Sequence, residues 1–211
     1  MNIAIIGAGK VGGAVAVKLA EHGHAVTLAA RDLASERVQA TLARHDGLRA
    51  EPIADAVAPA ELVILATPFG AVKAALQDAG SLDGKILVDA TNPVGEGVGH
   101  ALGSELSGGE FVQGVAPRAL VVKAFSIYGY ENFEDPVYPG HGELRPAMLI
   151  AGNDLAARAT VADLLEELGW QPVETGDITT SLHLEHLALL WIKLARVQGK
   201  GSDFVWAMLT R

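Results

Sequence analysis

The sequence predicts an α/β protein, with a doubly wound, mostly parallel sheet and a small helical C-terminal part. Three observations carry this. Short β-type apolar runs alternate with helical stretches along most of the chain. Several runs, such as Leu62 to Ala66, are apolar without interruption, as strands covered on both faces must be. The first run, Asn2 to Ile6, leads directly into a turn bearing Gly7, Gly9 and Gly12, and a helical pattern follows it.

The elements can be justified in order. A helix is expected from Val11 to His22, with Val15, Ala16 and Leu19 on one face and Gly23 ending it. Ala25 to Ala30 reads as the second strand, and Asp32 is placed to cap a helix from Leu33 to Arg44. A weaker strand spans Leu48 to Glu51. After Leu62 to Ala66, Pro68 stands where a helix begins. Lys85 to Asp89 repeats the strand logic, and residues 95 to 117 hold many glycines and suggest a loop with one short helix. Strands are expected at 120 to 125 and at Ala147 to Ile150. Asp154 to Leu168 is an amphipathic helix, with Val161, Leu164, Leu165 and Leu168 sharing a face and Gly169 beyond its end. Gln171 to Glu174 is a last short strand. From Thr179 the chain reads as helical to its end, and LEHLALLWIKLA is apolar almost all round, as a helix buried between other elements or at a subunit contact would be.

A chain of 211 residues suits one large domain with a small extension, and the expected division is 1–178 and 179–211. The net charge of −9 argues against nucleic acid, whose phosphates need a positive field. No cysteine is present, which excludes disulfides, thiolate metal sites and cysteine nucleophiles. No apolar stretch approaches the length of a membrane span, and no basic segment with a cleavage site precedes the first strand. A cytoplasmic protein is expected.

The glycine turn has a physical meaning in its strand-turn-helix setting. Gly7 permits the tight turn, Gly9 lets the backbone approach a pyrophosphate, and Gly12 lets the helix pack closely on the strand. The N–H groups of Lys10, Val11 and Gly12 open the helix toward an anion. A Rossmann-type dinucleotide site is expected here. Arg31 falls nineteen residues after Gly12, where the adenosine ribose is read. An acid there would bind a 2′-hydroxyl, but this chain has Ala29, Ala30 and then Arg31, with Ser35 and Arg37 close by. A guanidinium matches a 2′-phosphate with parallel charge-assisted bonds, so NADP(H) is expected over NAD(H).

The segments VILATP (63–68), LVDATNPVG (87–95), VVKAFSIYGYENFEDP (121–136), MLIAGND (148–154) and LALLWIKLA (187–195) add to the glycine turn. With them the chain resembles the NADPH-dependent F420 reductases, the F420:NADP+ oxidoreductases, over nearly its whole length. The resemblance implies a Rossmann-type domain with a small C-terminal part, and hydride transfer between nicotinamide and a deazaflavin. Three positions depart from the family's habit. Lys10 stands where Thr is frequent and Ala30 where Ser is frequent, and the charge of Lys10 compensates at the phosphate. Ser126 stands where Asn is common, on the substrate side.

In an open α/β sheet the ligand lies beyond the carboxyl ends of the strands. That places Thr67, Pro68 and Asn92 at the ribose and nicotinamide, and Phe125 and Ser126 on the side of a small-molecule redox acceptor; Trp191, in the apolar C-terminal helix, is assigned to the same side. Five of the eleven aromatic residues, Phe125, Tyr128, Tyr130, Phe133 and Tyr138, offer a wall on which a planar ring would stack. Direct hydride transfer needs no acid or base, so no catalytic residue is assigned. His183 and His186 have no third ligand and read as ordinary helix histidines, and Asp89 as a structural residue at a strand end. Lys193, Arg196 and Lys200 form a basic stripe best explained by a helix C-terminus. The alternatives are a reductase of a flavin, quinone or imine, with Tyr128 or Tyr130 as proton donor for an imine, and a non-catalytic NADP(H)-binding redox sensor. The apolar C-terminal helix suggests a homodimer.

Overall fold

The computed structural model describes all 211 residues, Met1 to Arg211. Its strands are β1 (Asn2–Ile6), β2 (Ala25–Ala29), β3 (Arg49–Glu51), β4 (Leu62–Leu65), β5 (Ile86–Asp89), β6 (Leu120–Lys123), β7 (Ala147–Gly152) and β8 (Gln171–Glu174). They form one sheet in the order β3-β2-β1-β4-β5-β6-β7-β8. From β3 to β6 every neighbouring pair is parallel. β7 runs antiparallel to β6, and β8 runs parallel to β7. The order reverses between β1 and β4, which opens a crevice at the carboxyl ends of those two strands.

The strand pattern follows from burial on both faces. Ile3 and Ile5 of β1 point into one apolar layer, and Ala4 and Ile6 into the other. The first layer is closed by α1 (Lys10–Glu21), α2 (Glu36–Leu42), α7 (Leu155–Glu167) and α8 (Ser181–Ile192). The second is closed by α3 (Ile53–Val57), α4 (Val72–Asp78) and α5 (Gly108–Val115). A short helix, α6 (Tyr130–Glu134), lies against α1. No helix is long and apolar enough to cross a membrane.

Most expected elements stand within a residue or two of their places, and the departures have local causes. The second helix begins at Glu36 rather than Leu33, because Asp32 folds into a turn of its own. Its Oδ1 accepts the N–H of Ala34 at 3.0 Å, and its carbonyl accepts the Ser35 hydroxyl at 2.8 Å. Asp32 therefore caps a turn and not the helix. α3 and α6, five residues each, are too short to show a helical period. At Pro68 a 3-10 turn (Phe69–Ala71) comes first and α4 follows.

The C-terminal expectation needs correction. The helix ends at Ile192, one π-helical turn covers Lys193–Val197, and residues 198–211 are not helical. Gly199 and Gly201 take φ of 68° and 80°, a left-handed conformation that stops a helix. The chain then returns to the body. Trp191 Nε1 donates to the Phe204 carbonyl at 3.1 Å, and the Ala147 N–H donates to the Trp206 carbonyl at 2.8 Å. Backbone and indole partners hold this tail in place without helical hydrogen bonds.

Candidate functional site

The carboxyl ends of β1, β2, β4 and β5 enclose a cleft of about 520 Å³. Gly7, Gly9, Lys10 and Val11 form its floor, Arg31 and Ser35 one end, and Thr67, Pro68 and Asn92 the other. The sequence had not singled out Ile53, Phe69, Ala71 and Ala75, which also line it. They come from the short third helix, the 3-10 turn at Phe69–Ala71 and α4, none of which carries a motif.

The glycines differ in role. Gly7 has φ of 117°, and a Cβ there would meet the Ala66 carbonyl oxygen at 2.6 Å. Gly12 is buried beneath the cleft, and a Cβ on it would overlap the Gly7 carbonyl oxygen. At Gly9 a Cβ would meet no protein atom, so it would project into the space the cleft keeps open. Helix α1 starts at that point with no acidic residue in its first turn and no side-chain cap, leaving its first N–H groups turned toward the cleft. Gly12→Ala should therefore push helix and turn apart. The expected result is a loss of about 1–3 kcal/mol in a urea titration, together with loss of dinucleotide binding. Unchanged stability would show that the turn relaxes without strain.

Two cations stand over this floor. Lys10 Nζ lies 4.7 Å from the centre of the Tyr130 ring and 3.4 Å from its hydroxyl. Arg31 Nε bonds Asp78 Oδ2 at 2.5 Å, while its two terminal nitrogens have no partner in the chain. Both members of that pair are half-exposed, so solvent screens it and an anion can compete for the guanidinium.

Beneath the far end lies a buried ionic network of which sequence reasoning had noticed only Asp89. Lys123 is wholly buried. Its ammonium donates to Asp89 Oδ2 at 2.9 Å, to Glu185 Oε1 at 2.8 Å and to the Thr91 carbonyl at 2.6 Å. Asp89 Oδ1 accepts the N–H and the hydroxyl of Thr91 at 2.9 and 2.6 Å. Glu185 also accepts the N–H groups of Gly108 and Gly109, at 2.9 and 3.1 Å, and so caps α5 from α8. His100 Nδ1 takes the Ser104 N–H, so its Nε2 carries the proton that it donates to Glu185 at 2.8 Å. A lysine inside the run LVVKAF and a glutamate inside an apolar helix were the signals available, since such charges are buried only when paired.

Burial works against both charges in this network, and pairing outweighs it. Lys123 is held above the usual lysine value by Asp89 and Glu185. Glu185 is held below the usual carboxylate range by Lys123, His100 and the α5 amides. The depressed carboxyl supplies stability that is complete above its unfolded value of about 4.3 and is lost as pH falls through its lower folded value. The raised ammonium supplies stability below about 10.4 that is lost only as pH rises past its folded value. Glu185→Gln should lower the melting temperature across that whole window and flatten the acid limb of the melting curve against pH. An acid limb identical to the parent's would refute this role.

The substrate-side residues are placed differently from expectation. Phe125 and Trp191 are at most 2 % exposed and sit in the core, Phe125 edge-on to Phe133 and Trp191 stacked on Phe204. Ser126 is buried at the end of β6, and none of the three lines the cleft. The aromatic wall is likewise absent from it. Tyr128 stacks on Trp170, Phe133 packs against the same ring, and Asn132 donates to the Tyr138 hydroxyl. These rings remove more apolar area from water by packing α6 and the tail than they would at a cleft edge. The Tyr128 hydroxyl donates to the Ala147 carbonyl at 2.7 Å, burial pushes its pKa up, and the residue does not line the cleft. In the basic stripe, Arg196 pairs with Glu131 at 2.5 Å and lies over the Trp191 ring, while Lys193 and Lys200 are exposed.

A strand-turn-helix cradle at the sheet's switch point, with Lys10 and Arg31 lining the cleft, has the form of a Rossmann-type dinucleotide-binding protein, and the family match puts it in the NADP-dependent oxidoreductase class. Residues 2–93 match the family described as NADP oxidoreductase, coenzyme F420-dependent. A solved protein of Arthrobacter sp. FB24, provisionally described as an F420-dependent NADP reductase, is 36% identical with a TM-score of 0.88, over 100% of both chains. The chain belongs to this family, the F420-dependent NADP oxidoreductases.

More distant likenesses extend the fold alone. A reductive aminase of Aspergillus terreus, solved with NADPH and ethyl levulinate, is 21% identical with a TM-score of 0.68, over 94% of this chain and 62% of its own. The metalloreductase STEAP3 of Rattus norvegicus is 24% identical over 194 residues, 89% of this chain and 36% of that protein. The chain spans little more than a third of the length of the curated relatives it matches.

Proposed function

We propose that this protein transfers a hydride between NADP(H) and a deazaflavin of the F420 type. One observation carries the cofactor half. The end of β2 turns Ala29, Ala30 and Arg31 to the cleft, a guanidinium where an acid would select NAD(H). In this reading the amides of Lys10 and Val11, with Gly9 between them and the turn, hold the pyrophosphate. Gly7 and Gly12 shape that cradle from behind. Arg31, Ser35 and Lys10 receive the 2′-phosphate, and Thr67, Pro68 and Asn92 seat the ribose and nicotinamide. The cofactor supplies the hydride at its nicotinamide ring, and the chain supplies register and exclusion of water.

The acceptor half rests on family membership. Phe125, Ser126 and Trp191 act on it, in this reading, by shaping the end of β6 and the helix behind it rather than by stacking. We also read residues 1–178 as the cofactor-binding domain and 179–211 as its extension. A cytoplasmic homodimer belongs to the same proposal, supported by Leu190 and Val197, exposed at 48% and 59% on the C-terminal helical segment. A monomeric mass by light scattering would remove the dimer.

The test is a spectrophotometric assay of purified protein with NADPH and F420, run beside NADH. Rapid loss of the deazaflavin's visible absorbance with NADPH alone is the expected result. Tight NADPH binding without bleaching would retain the cofactor reading and discard the acceptor.

A further inference from the structure

Buried polar atoms in folded proteins find partners, so those that lack one ask for an explanation. Seven side-chain nitrogen or oxygen atoms are buried here without a hydrogen bond. Three of them, Thr67 Oγ1, Asn92 Oδ1 and Ser126 Oγ, lie within three residues of the ends of β4, β5 and β6, which are adjacent strands. Thr67 and Asn92 line the cleft.

The orientation of Asn92 is fixed by chemistry. Its neighbour at 2.6 Å is the Ser126 carbonyl, which can only accept, so Nδ2 faces Ser126 and Oδ1 is the atom left over. The Ser126 carbonyl is presented by Phe125, a buried residue with φ of 52°, in the left-handed region that non-glycine residues rarely adopt. The backbone entering Asn92 is held from below, since Thr91 is bonded through both its N–H and its carbonyl to the Asp89–Lys123 pair. The chain thus holds a strained residue and a buried ion pair around one amide whose acceptor has no partner.

We infer that Asn92 Oδ1 and Thr67 Oγ1 are a carboxamide-reading pair that selects dinucleotides bearing a nicotinamide N–H. Asn92 accepts from the carboxamide nitrogen, and the Thr67 hydroxyl donates to the carboxamide oxygen. The inference rests on the proposal that the cleft binds NADP(H). Each contact lies in a buried place, where loss of the matching ligand group leaves a polar atom unpaired and costs more than the bond's value in water.

The experiment compares NADP+ with its 3-acetylpyridine analogue, in which a methyl group replaces the carboxamide nitrogen, by equilibrium binding. The parent protein should prefer NADP+ by about tenfold or more, the worth of one buried hydrogen bond. Asn92→Ala should erase that preference by weakening NADP+ alone, with the analogue's affinity unchanged. Thr67→Val should weaken both ligands alike, by about threefold to tenfold, because both keep the carbonyl. It should leave the melting temperature of the free protein unchanged or raised, since it removes an unpaired oxygen at nearly constant shape. A preference that survives Asn92→Ala overturns the inference. So does a Thr67→Val protein that melts earlier and binds normally, which would make the hydroxyl structural. Failure of the parent to bind NADP+ at all would instead defeat the cofactor reading, and this inference with it.

Discussion

Arg31→Ala is expected to remove the protein's preference for the phosphorylated dinucleotide. The side chain lines the cleft beyond the end of β2, with its two terminal guanidinium nitrogens unbonded. A fully buried guanidinium–phosphate pair would be worth a hundredfold or more in affinity. Two features of this site reduce that figure: the Arg31 side chain is 59% exposed, and Asp78 holds its Nε. Screening and competition leave an expected loss of about tenfold to thirtyfold in NADPH affinity at physiological salt, with NADH affinity unchanged. Because Arg37 also lines the cleft and Lys10 stands at its floor, the residual affinity should remain salt-dependent. Fluorescence titration of both reduced cofactors at two ionic strengths measures this directly. Equal losses for NADPH and NADH would mean that Arg31 shapes the cleft and does not read the phosphate.

Lys123→Met carries the second large effect, on stability. The substitution keeps the length of the side chain and removes the ammonium from between Asp89 and Glu185, each of which is wholly or almost wholly buried. Two carboxylates would then be enclosed with no cation, and the Thr91 carbonyl would lose its donor. Removing one member of a buried ion pair costs about 3–5 kcal/mol, because the partner's desolvation is no longer offset. That is a large share of the total stability of a single domain. Urea unfolding followed by tryptophan fluorescence is a suitable measurement, since Trp170 and Trp191 are both buried. A loss under about 1 kcal/mol would mean that water enters and solvates the carboxylates, and the network would not be the fastening that joins β5, β6, α5 and α8. Reduced cofactor affinity should accompany the loss, because the same lysine holds the backbone that leads to Asn92.

Much of the fold was legible because its rules are local. The alternation of apolar runs with helical periods follows from the period of each element, and a strand buried on both faces declares itself as it does at Leu62 to Leu65. The glycine turn was legible for the same reason: the geometry of Gly7 and Gly12 is a property of a few adjacent residues, and the ribose-reading position lies at a nearly constant distance along one βαβ unit. Lys10, Val11, Arg31, Ser35, Thr67, Pro68 and Asn92 do meet in one cleft.

The substrate-side residues had no such local rule. Phe125 and Trp191 are apolar residues in apolar company, and nothing in their spacing separates a ring that lines a cleft from one that fills a core. The antiparallel β7 and the return of residues 204–206 onto Trp191 depend on pairings between distant parts of the chain. The buried network is the clearest case. Asp89, Lys123 and Glu185 are separated by thirty or more residues at each step, and a charge on a strand looks the same in sequence whether water or a partner satisfies it. By itself the sequence determined the parallel α/β framework, the dinucleotide turn and the arginine at its far end, because backbone periodicity and turn geometry are short-range. Only the tertiary structure decided which charges are paired, which rings are buried and which polar atoms are left without partners, because burial is a property of packed surfaces that the chain creates only on folding.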